Sequence, residues 1–282
     1  MRFLRFCKMH GAGNDFLIIN NLEEGLPHER FPMLAQMLCT RRISVGADGL
    51  MVVEKSTNGA DFRMLFYNAD GSAGEMCGNG ARCICRYGFE KGLSGEKQVI
   101  ETPSGIVTGW RIDQKNYRVR LTNPSVVELS RSVEACGTTW DCSYIELGTP
   151  GLPHVVVPME QLAQKHFDDL RELGRTLRRH RTFPKGANVN FYDIQAENEL
   201  VLRTYERGVE DFTYACGTGT GATVLALTLL GKVSGREVAV KNPGGTLYIT
   251  VDRTEEQIDN LWLTGPTKIV CTGEVLEENW NL

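Results

Sequence analysis

A chain of 282 residues with 41% hydrophobic content is long enough to bury a sizeable core, as one large domain or two of ordinary size. Its 31 Lys and Arg against 35 Asp and Glu leave a formal charge of −4, with the signs interspersed, so it lacks the basic footprint of a nucleic-acid or membrane-surface binder. The nine cysteines, at positions 7, 39, 77, 83, 85, 136, 142, 216 and 271, are odd in number and contain no C-x-x-C pair, which argues against a disulfide scaffold and against structural zinc.

In chain order, the opening MRFLRFCKMH sets charges among its apolar residues. It therefore has no signal-peptide core, and a cytoplasmic protein is expected. A helix is predicted over Pro32–Cys39. Strands are predicted at Tyr117–Leu121, Val155–Val157, Val238–Val240 and Leu247–Val251, where β-branched or alternating apolar residues lie beside turn signals such as Pro103-Ser-Gly and Pro243-Gly-Gly. Further helices are predicted over Glu160–Leu173 and directly after two Cys-Gly-x-Gly elements. The clearest is Thr220–Leu230, rich in Ala and Leu and closed by Gly231. The longest apolar-rich stretch, Thr223–Leu230, is far too short to span a bilayer.

The sequence repeats itself. Leu65–Gly80 aligns with Arg203–Gly219, and Tyr67 precedes Cys77 by 10 residues where Tyr205 precedes Cys216 by 11. Glu101-Thr-Pro-Ser-Gly105 matches Lys241-Asn-Pro-Gly-Gly245, its proline 26 residues after Cys77 and 27 after Cys216. Leu121-Thr-Asn-Pro124 then matches Leu263-Thr-Gly-Pro266. Three matches in one order at nearly constant spacing indicate a duplication. The expected organisation is two similar α/β lobes, residues 1–124 carrying Cys77 and 125–282 carrying Cys216, with the C-terminal strand free to return to the first lobe.

A turn that ends in Cys-Gly-x-Gly and enters a helix surrounds its thiol with unpaired backbone N–H groups at the positive end of the helix dipole. Such a cluster can hold a carboxylate, and the same field favours the thiolate that does chemistry. The tetrapeptides are too short for a dinucleotide or P-loop fingerprint, so a small anion is the better fit. Two such elements facing one molecule suit the inversion of a stereocentre: Cys77 and Cys216 act as base and acid on opposite faces while the N–H groups stabilise developing negative charge. Taken singly, either cysteine could be a buried structural thiol.

The motifs resemble those of diaminopimelate epimerases, pyridoxal-phosphate-independent racemases, over nearly the whole chain: Met9-His-Gly-Ala-Gly-Asn-Asp-Phe16, Gly46-Ala-Asp-Gly49, Asn68-Ala-Asp-Gly-Ser72, Met76-Cys-Gly-Asn-Gly-Ala-Arg82, Gly186-Ala-Asn-Val-Asn190, Glu206-Arg-Gly208 and Ala215-Cys-Gly-Thr-Gly219. The resemblance implies two pseudo-symmetric α/β lobes, each a mixed β-barrel-like sheet around a central helix, with the active site in the cleft between them. It implies that Cys77 and Cys216 are the catalytic thiols and that the amides of Gly78, Asn79, Gly217 and Thr218 hold the carboxylate at the reacting carbon. Asn14, Asn68, Asn188, Glu206 and Arg207 would hold the distal amino-acid end, Arg207 offering a planar fork to a carboxylate and Glu206 an anion to an ammonium. The expected partner is a small-molecule amino-acid substrate, without cofactor, metal, nucleic acid or membrane, in a chain compatible with a homodimer.

Three departures stand out: Gly49 where some relatives carry glutamine, Leu152 where others place asparagine, and one extra residue between Glu206 and Cys216. His154 is kept, either beside a thiol or as a core residue. As plain structure, Glu206 and Arg207 are a solvated surface pair, and Asn14 and Asn188 are turn residues next to glycine. Competing functions are a same-fold racemase of a one-ended amino acid such as histidine or proline, a non-catalytic amino-acid binder, an isomerase that does not use thiols, and a cysteine hydrolase.

Overall fold

Runs rich in Val, Ile, Leu and Tyr, cut short by Gly and Pro, become strands in the computed structural model, which describes residues 3–74, 78–255 and 257–276. The chain opens with β1 (Phe3–Gly11), β2 (Asn14–Asn20), the one-turn α1 (Asn21–Glu24), α2 (Phe31–Cys39), β3 (Gly49–Glu54) and β4 (Phe62–Asn68). There follow α3 (Gly78–Glu90), β5 (Lys97–Thr102), β6 (Gly105–Arg111) and β7 (Asn116–Leu121). The second half begins with β8 (Pro124–Ala135), β9 (Thr138–Leu147), β10 (Leu152–Pro158), α4 (Phe167–Arg178), β11 (Asn188–Ala196) and β12 (Glu199–Glu206). It closes with β13 (Asp211–Thr213), α5 (Gly217–Leu229), β14 (Val238–Asn242), β15 (Gly245–Arg253), β16 (Ile258–Pro266) and β17 (Lys268–Leu276). The fold class is mixed α/β, mostly strands with few helices.

The chain divides into two compact units, Met1–Val119 with Pro266–Leu282, and Arg120–Gly265. In the first, neighbouring strands run β17–β1–β2–β3–β4–β5–β6–β7, and the successive pairings are antiparallel, antiparallel, parallel, antiparallel, parallel, antiparallel and antiparallel. In the second, β8–β9–β10–β11–β12–β14–β15–β16 follow the same series of directions. The repeated Pro-Gly elements occupy equivalent turns: Thr102 pairs with Gly105 across Pro103 and Ser104, and Asn242 with Gly245 across Pro243 and Gly244.

Each unit is organised on one helix. In the first, α3 packs on β1, β2 and β6, and it buries Gly78 through Cys85. In the second, α5 packs on β8, β9, β10, β11 and β15, and Gly217 and Gly219 through Thr228 are buried. α5, apolar on all sides, has to lie inside a core. Satellite clusters complete each unit. Leu17, Ile19, Leu34, Leu38, Leu50 and Val52 gather under α2, and Leu170, Leu173 and Leu177 of α4 pack with Val189, Phe191 and Tyr205.

The predicted helix at Pro32–Cys39 forms as α2, and the predicted strands fall within β7, β10, β14 and β15. The helix expected over Glu160–Leu173 is displaced. A single 3-10 turn spans Leu162–Gln164, and α4 begins only at Phe167 and continues to Arg178. Gln161 takes a left-handed φ of 55° and Lys165 is extended, so no helix passes through them. The start is set instead by the His166 backbone N–H, which donates to Asp169 Oδ2 at 2.8 Å in the manner of a capping box.

Candidate active site

In the first unit, β2 begins at Asn14, β3 begins at Gly49 opposite Asn68, and β4 ends at Asn68, so the two asparagines lie at one end of neighbouring strands. Asn14 Nδ2 donates to Asp48 Oδ2 at 2.6 Å, which fixes the orientation of its amide. Asp48 is itself fixed by the Asp15 backbone N–H at 3.0 Å and by Arg41 Nη2 at 2.9 Å. Asp15 takes Arg41 at 2.5 and 3.2 Å and Lys8 at 3.2 Å. Burial opposes ionisation of Asp15, but Arg41 and Lys8 outweigh it and hold the carboxyl below its ordinary range. Asn68 closes a tight turn, its Nδ2 donating to Ser72 Oγ at 2.9 Å and its backbone N–H to the Ser72 carbonyl at 2.9 Å.

Cys77, expected between this turn and α3, lies outside the described residues. Gly78 and Asn79 open α3 and are buried. The fully buried Arg82 holds that first turn, donating from Nη1 to the Gly78 carbonyl at 3.1 Å and from Nη2 to Asn79 Oδ1 at 3.0 Å. Gly11, paired with Asn14 in the β1–β2 ladder, lies so close that a Cβ on it would sit 3.0 Å from the Asn79 carbonyl oxygen. The structure thus brings Asn14 and the start of α3 to one place.

In the second unit, Cys216 is the N-cap of α5 and is 7% exposed. Its Sγ accepts the Gly219 backbone N–H at 3.4 Å and lies 3.5 Å from Thr218 Oγ1, while Gly217 is buried behind it. Gly219 is where two elements nearly touch, since a Cβ there would fall 2.2 Å from Asn190 Oδ1. Gly219→Ala is expected to push α5 off Asn190 and to destabilise the protein by about 1–3 kcal/mol, the usual cost of overpacking. Urea unfolding measures it.

Asn190, buried on β11, accepts Thr204 Oγ1 at 2.9 Å and donates from Nδ2 to the Val155 and Asn188 carbonyls at 3.2 and 3.4 Å. The same Nδ2 lies 3.3 Å from His154 Nδ1. Asn188 accepts the Arg207 backbone N–H at Oδ1 at 2.8 Å, and Arg207 Nη1 donates to the Lys185 carbonyl at 3.1 Å. Asn188, Arg207 and Cys216 are thereby tied together through Asn190 and Gly219. Burial pushes the neighbouring Glu206 carboxyl above its ordinary value. Burial also opposes ionisation of Glu146, but the Tyr144 hydroxyl at 2.6 Å and the Lys185 ammonium at 2.9 Å hold its carboxyl low.

His154 is fully buried, and burial together with the Arg207 charge pushes its pKa down to about 3. An unfolded chain binds a proton at this histidine near its ordinary value of 6.5, whereas the folded one does not. Stability is therefore unaffected above that value and is lost as pH falls from 6.5 toward 3, by about 1.4 kcal/mol per pH unit. Denaturant unfolding across that window is expected to show a flatter acid slope in His154→Asn.

Sequence reasoning named neither the Asp48, Asp15 and Arg41 network nor Asn190 as supports. Asp15, Asp48 and Asn190 stand inside motif segments, but Asp15 and Asp48 meet across 33 positions, and Asn190 and Thr204 across 14. Among the described residues, no helix is long and apolar enough to cross a membrane.

The family model described as diaminopimelate epimerase matches residues 6–127 and 148–270. A diaminopimelate epimerase of Aquifex aeolicus (strain VF5) is 36% identical over 287 residues, covering 98% of this chain and 99% of that protein. One from Chlorobaculum tepidum is 38% identical over 272 residues, covering 95% and 99%. Among solved structures, a PhzF-family phenazine biosynthesis protein of Bacillus anthracis superposes with a TM-score of 0.73 at 18% identity, covering 98% of this chain and all of that one. A hydroxyproline epimerase of Agrobacterium vitis with bound trans-4-OH-L-proline superposes at 0.70 and 17%, covering 99% and 94%. At those identities the superpositions establish the fold.

Proposed function

The chain belongs to the diaminopimelate epimerase family, and from that premise we propose that it interconverts L,L- and meso-diaminopimelate in the cytoplasm, supplying lysine and peptidoglycan synthesis. It is an isomerase whose own side chains do the proton transfer. The observation that carries this reading is the Cys216 sulfur seated on the first turn of α5, where the Gly219 N–H donates to it and stabilises negative charge on it.

Cys77 and Cys216 flank the α-carbon in this mechanism. One, as thiolate, removes the proton, the other, as thiol, returns a proton to the opposite face, and their roles exchange in the reverse direction. The carboxylate on the reacting carbon rests on the amides of Gly78, Asn79, Gly217 and Thr218, whose N–H groups also stabilise the charge that builds as the proton leaves. At the far end, Arg207 pairs with the second carboxylate and Glu206 with the second ammonium, while Asn14, Asn68 and Asn188 orient both. Asp48 supports the reading by fixing the amide of Asn14, and Asn188 by fixing the Arg207 backbone.

The test is conversion. Purified protein given L,L-diaminopimelate is expected to form the meso isomer without added cofactor, as followed by chiral chromatography. No conversion of diaminopimelate, with turnover of histidine or proline instead, would reject the substrate.

A further inference from the structure

We propose that Arg178 and Glu210 form a positioning pair that aligns the two segments carrying Asn188 and Arg207, and so sets how tightly the distal end of the substrate is held. This rests on the reading above only for what Asn188 and Arg207 contact.

Glu210 sits in the turn between β12 and β13, three residues after Arg207, in a left-handed conformation with φ of 59°. Every polar group it has is used to hold that turn. Its N–H donates to the Glu206 carbonyl at 2.8 Å, and its carbonyl accepts Tyr205 Oη at 2.6 Å. Oε1 accepts the Gly208 N–H at 3.2 Å and Arg178 Nε at 3.0 Å, and Oε2 accepts Arg179 Nη2 at 3.0 Å. Burial opposes its ionisation, but the Gly208 N–H and the two arginines keep the carboxyl low. One residue on, Asp211 pairs with Arg171 of the same helix.

Arg178 reaches the other segment as well. It is the last residue of α4, its carbonyl accepts the Ala187 N–H at 3.2 Å, and its guanidinium crowds Gly186, where a Cβ would fall 2.0 Å from Nη1. Gly186 has φ of 62°, so both its backbone conformation and its surroundings exclude a side chain. Gly186 and Ala187 stand between Lys185 and Asn188, the two residues that hold Arg207. The contacts close a ring from Arg178 through Ala187 and Asn188 to Arg207, along the turn to Glu210, and back. The ring is anchored by α4, whose Leu170, Leu173 and Leu177 are in the core.

An ion pair still open to solvent, its side chains 16% and 31% exposed, contributes little to stability, whereas small displacements of a binding group cost much in substrate contact. The two effects separate. Glu210→Gln, which keeps the shape of the side chain, is expected to raise KM for diaminopimelate about tenfold or more while kcat stays within about threefold, the signature of lost uniform binding. Arg178→Lys, which keeps the charge but loses the fork, is expected to fall between that variant and the unchanged protein. Hydrogen–deuterium exchange of the substrate-free protein, read by mass spectrometry, is expected to quicken in 186–188 and 206–211 together in both variants. An unchanged KM, or faster exchange confined to 206–211, would overturn the proposal. The exchange result needs no substrate, so it separates failure of the pair from failure of the assigned reaction, which inversion by the unchanged protein decides.

Discussion

Cys216→Ala is expected to invert diaminopimelate about a thousandfold more slowly than the unchanged chain, in line with the loss of a proton-transfer group at the reacting carbon. Cys216 is 7% exposed and its sulfur caps α5, so the substitution also removes an acceptor for the Gly219 N–H. That costs stability of order 1 kcal/mol, too little to unfold a chain of this size. A melting temperature within a few degrees of the parent, together with the rate loss, separates chemistry from folding. The same loss is expected for Cys77→Ala, because a two-base route fails in both directions when either thiol is missing. A non-catalytic amino-acid binder, or an isomerase that does not use thiols, would tolerate both changes.

For Arg207→Ala, kcat/KM for diaminopimelate is expected to fall by roughly 10²–10³-fold, mainly through KM. A planar fork on a carboxylate makes two charge-assisted hydrogen bonds, each contributing about 1.5–3 kcal/mol, and about 3–4 kcal/mol in total corresponds to that ratio. The turn itself should survive, since Asn188 holds the Arg207 backbone N–H, which alanine retains. Arg207→Lys keeps the charge without the fork and should fall between the two. Steady-state kinetics on both isomers measures the effect. An unchanged KM would mean that Arg207 does not hold a distal end, as expected for a racemase of a one-ended amino acid.

Local chemistry made much of this fold legible. Pro103-Ser-Gly and Pro243-Gly-Gly mark hairpin turns by their residue types alone, and each does join two strands. Thr220–Leu230 is rich in Ala and Leu, and the central helix of its unit runs through it from Gly217 to Leu229, with Leu230 as its C-cap. The helix expected over Glu160–Leu173 starts late, because residue types there do not reveal the left-handed Gln161 or the extended Lys165 that keep the segment out of a helix.

The candidate site divides the same way. Cys216 at a helix start could be read from Cys-Gly-Thr-Gly, since capping is a local matter. Its dependence on Asn190 could not, because that contact is created only when β11 packs on α5. Asn14 is legible as a polar residue beside glycine, but its orientation is set by Asp48, 34 positions away. Arg178 and Glu210 are separated by 32 positions, with no motif to mark either. Pairings of that kind follow from tertiary packing.

The most direct test of two-thiol inversion is the fate of the α-hydrogen at early conversion in heavy water. Starting from L,L-diaminopimelate, the meso product should carry one solvent deuteron at the inverted carbon, while the recovered L,L isomer keeps its protium. Equal deuteration of substrate and product would point to a single base serving both faces, and product without deuterium would rule out proton exchange through the two sulfurs.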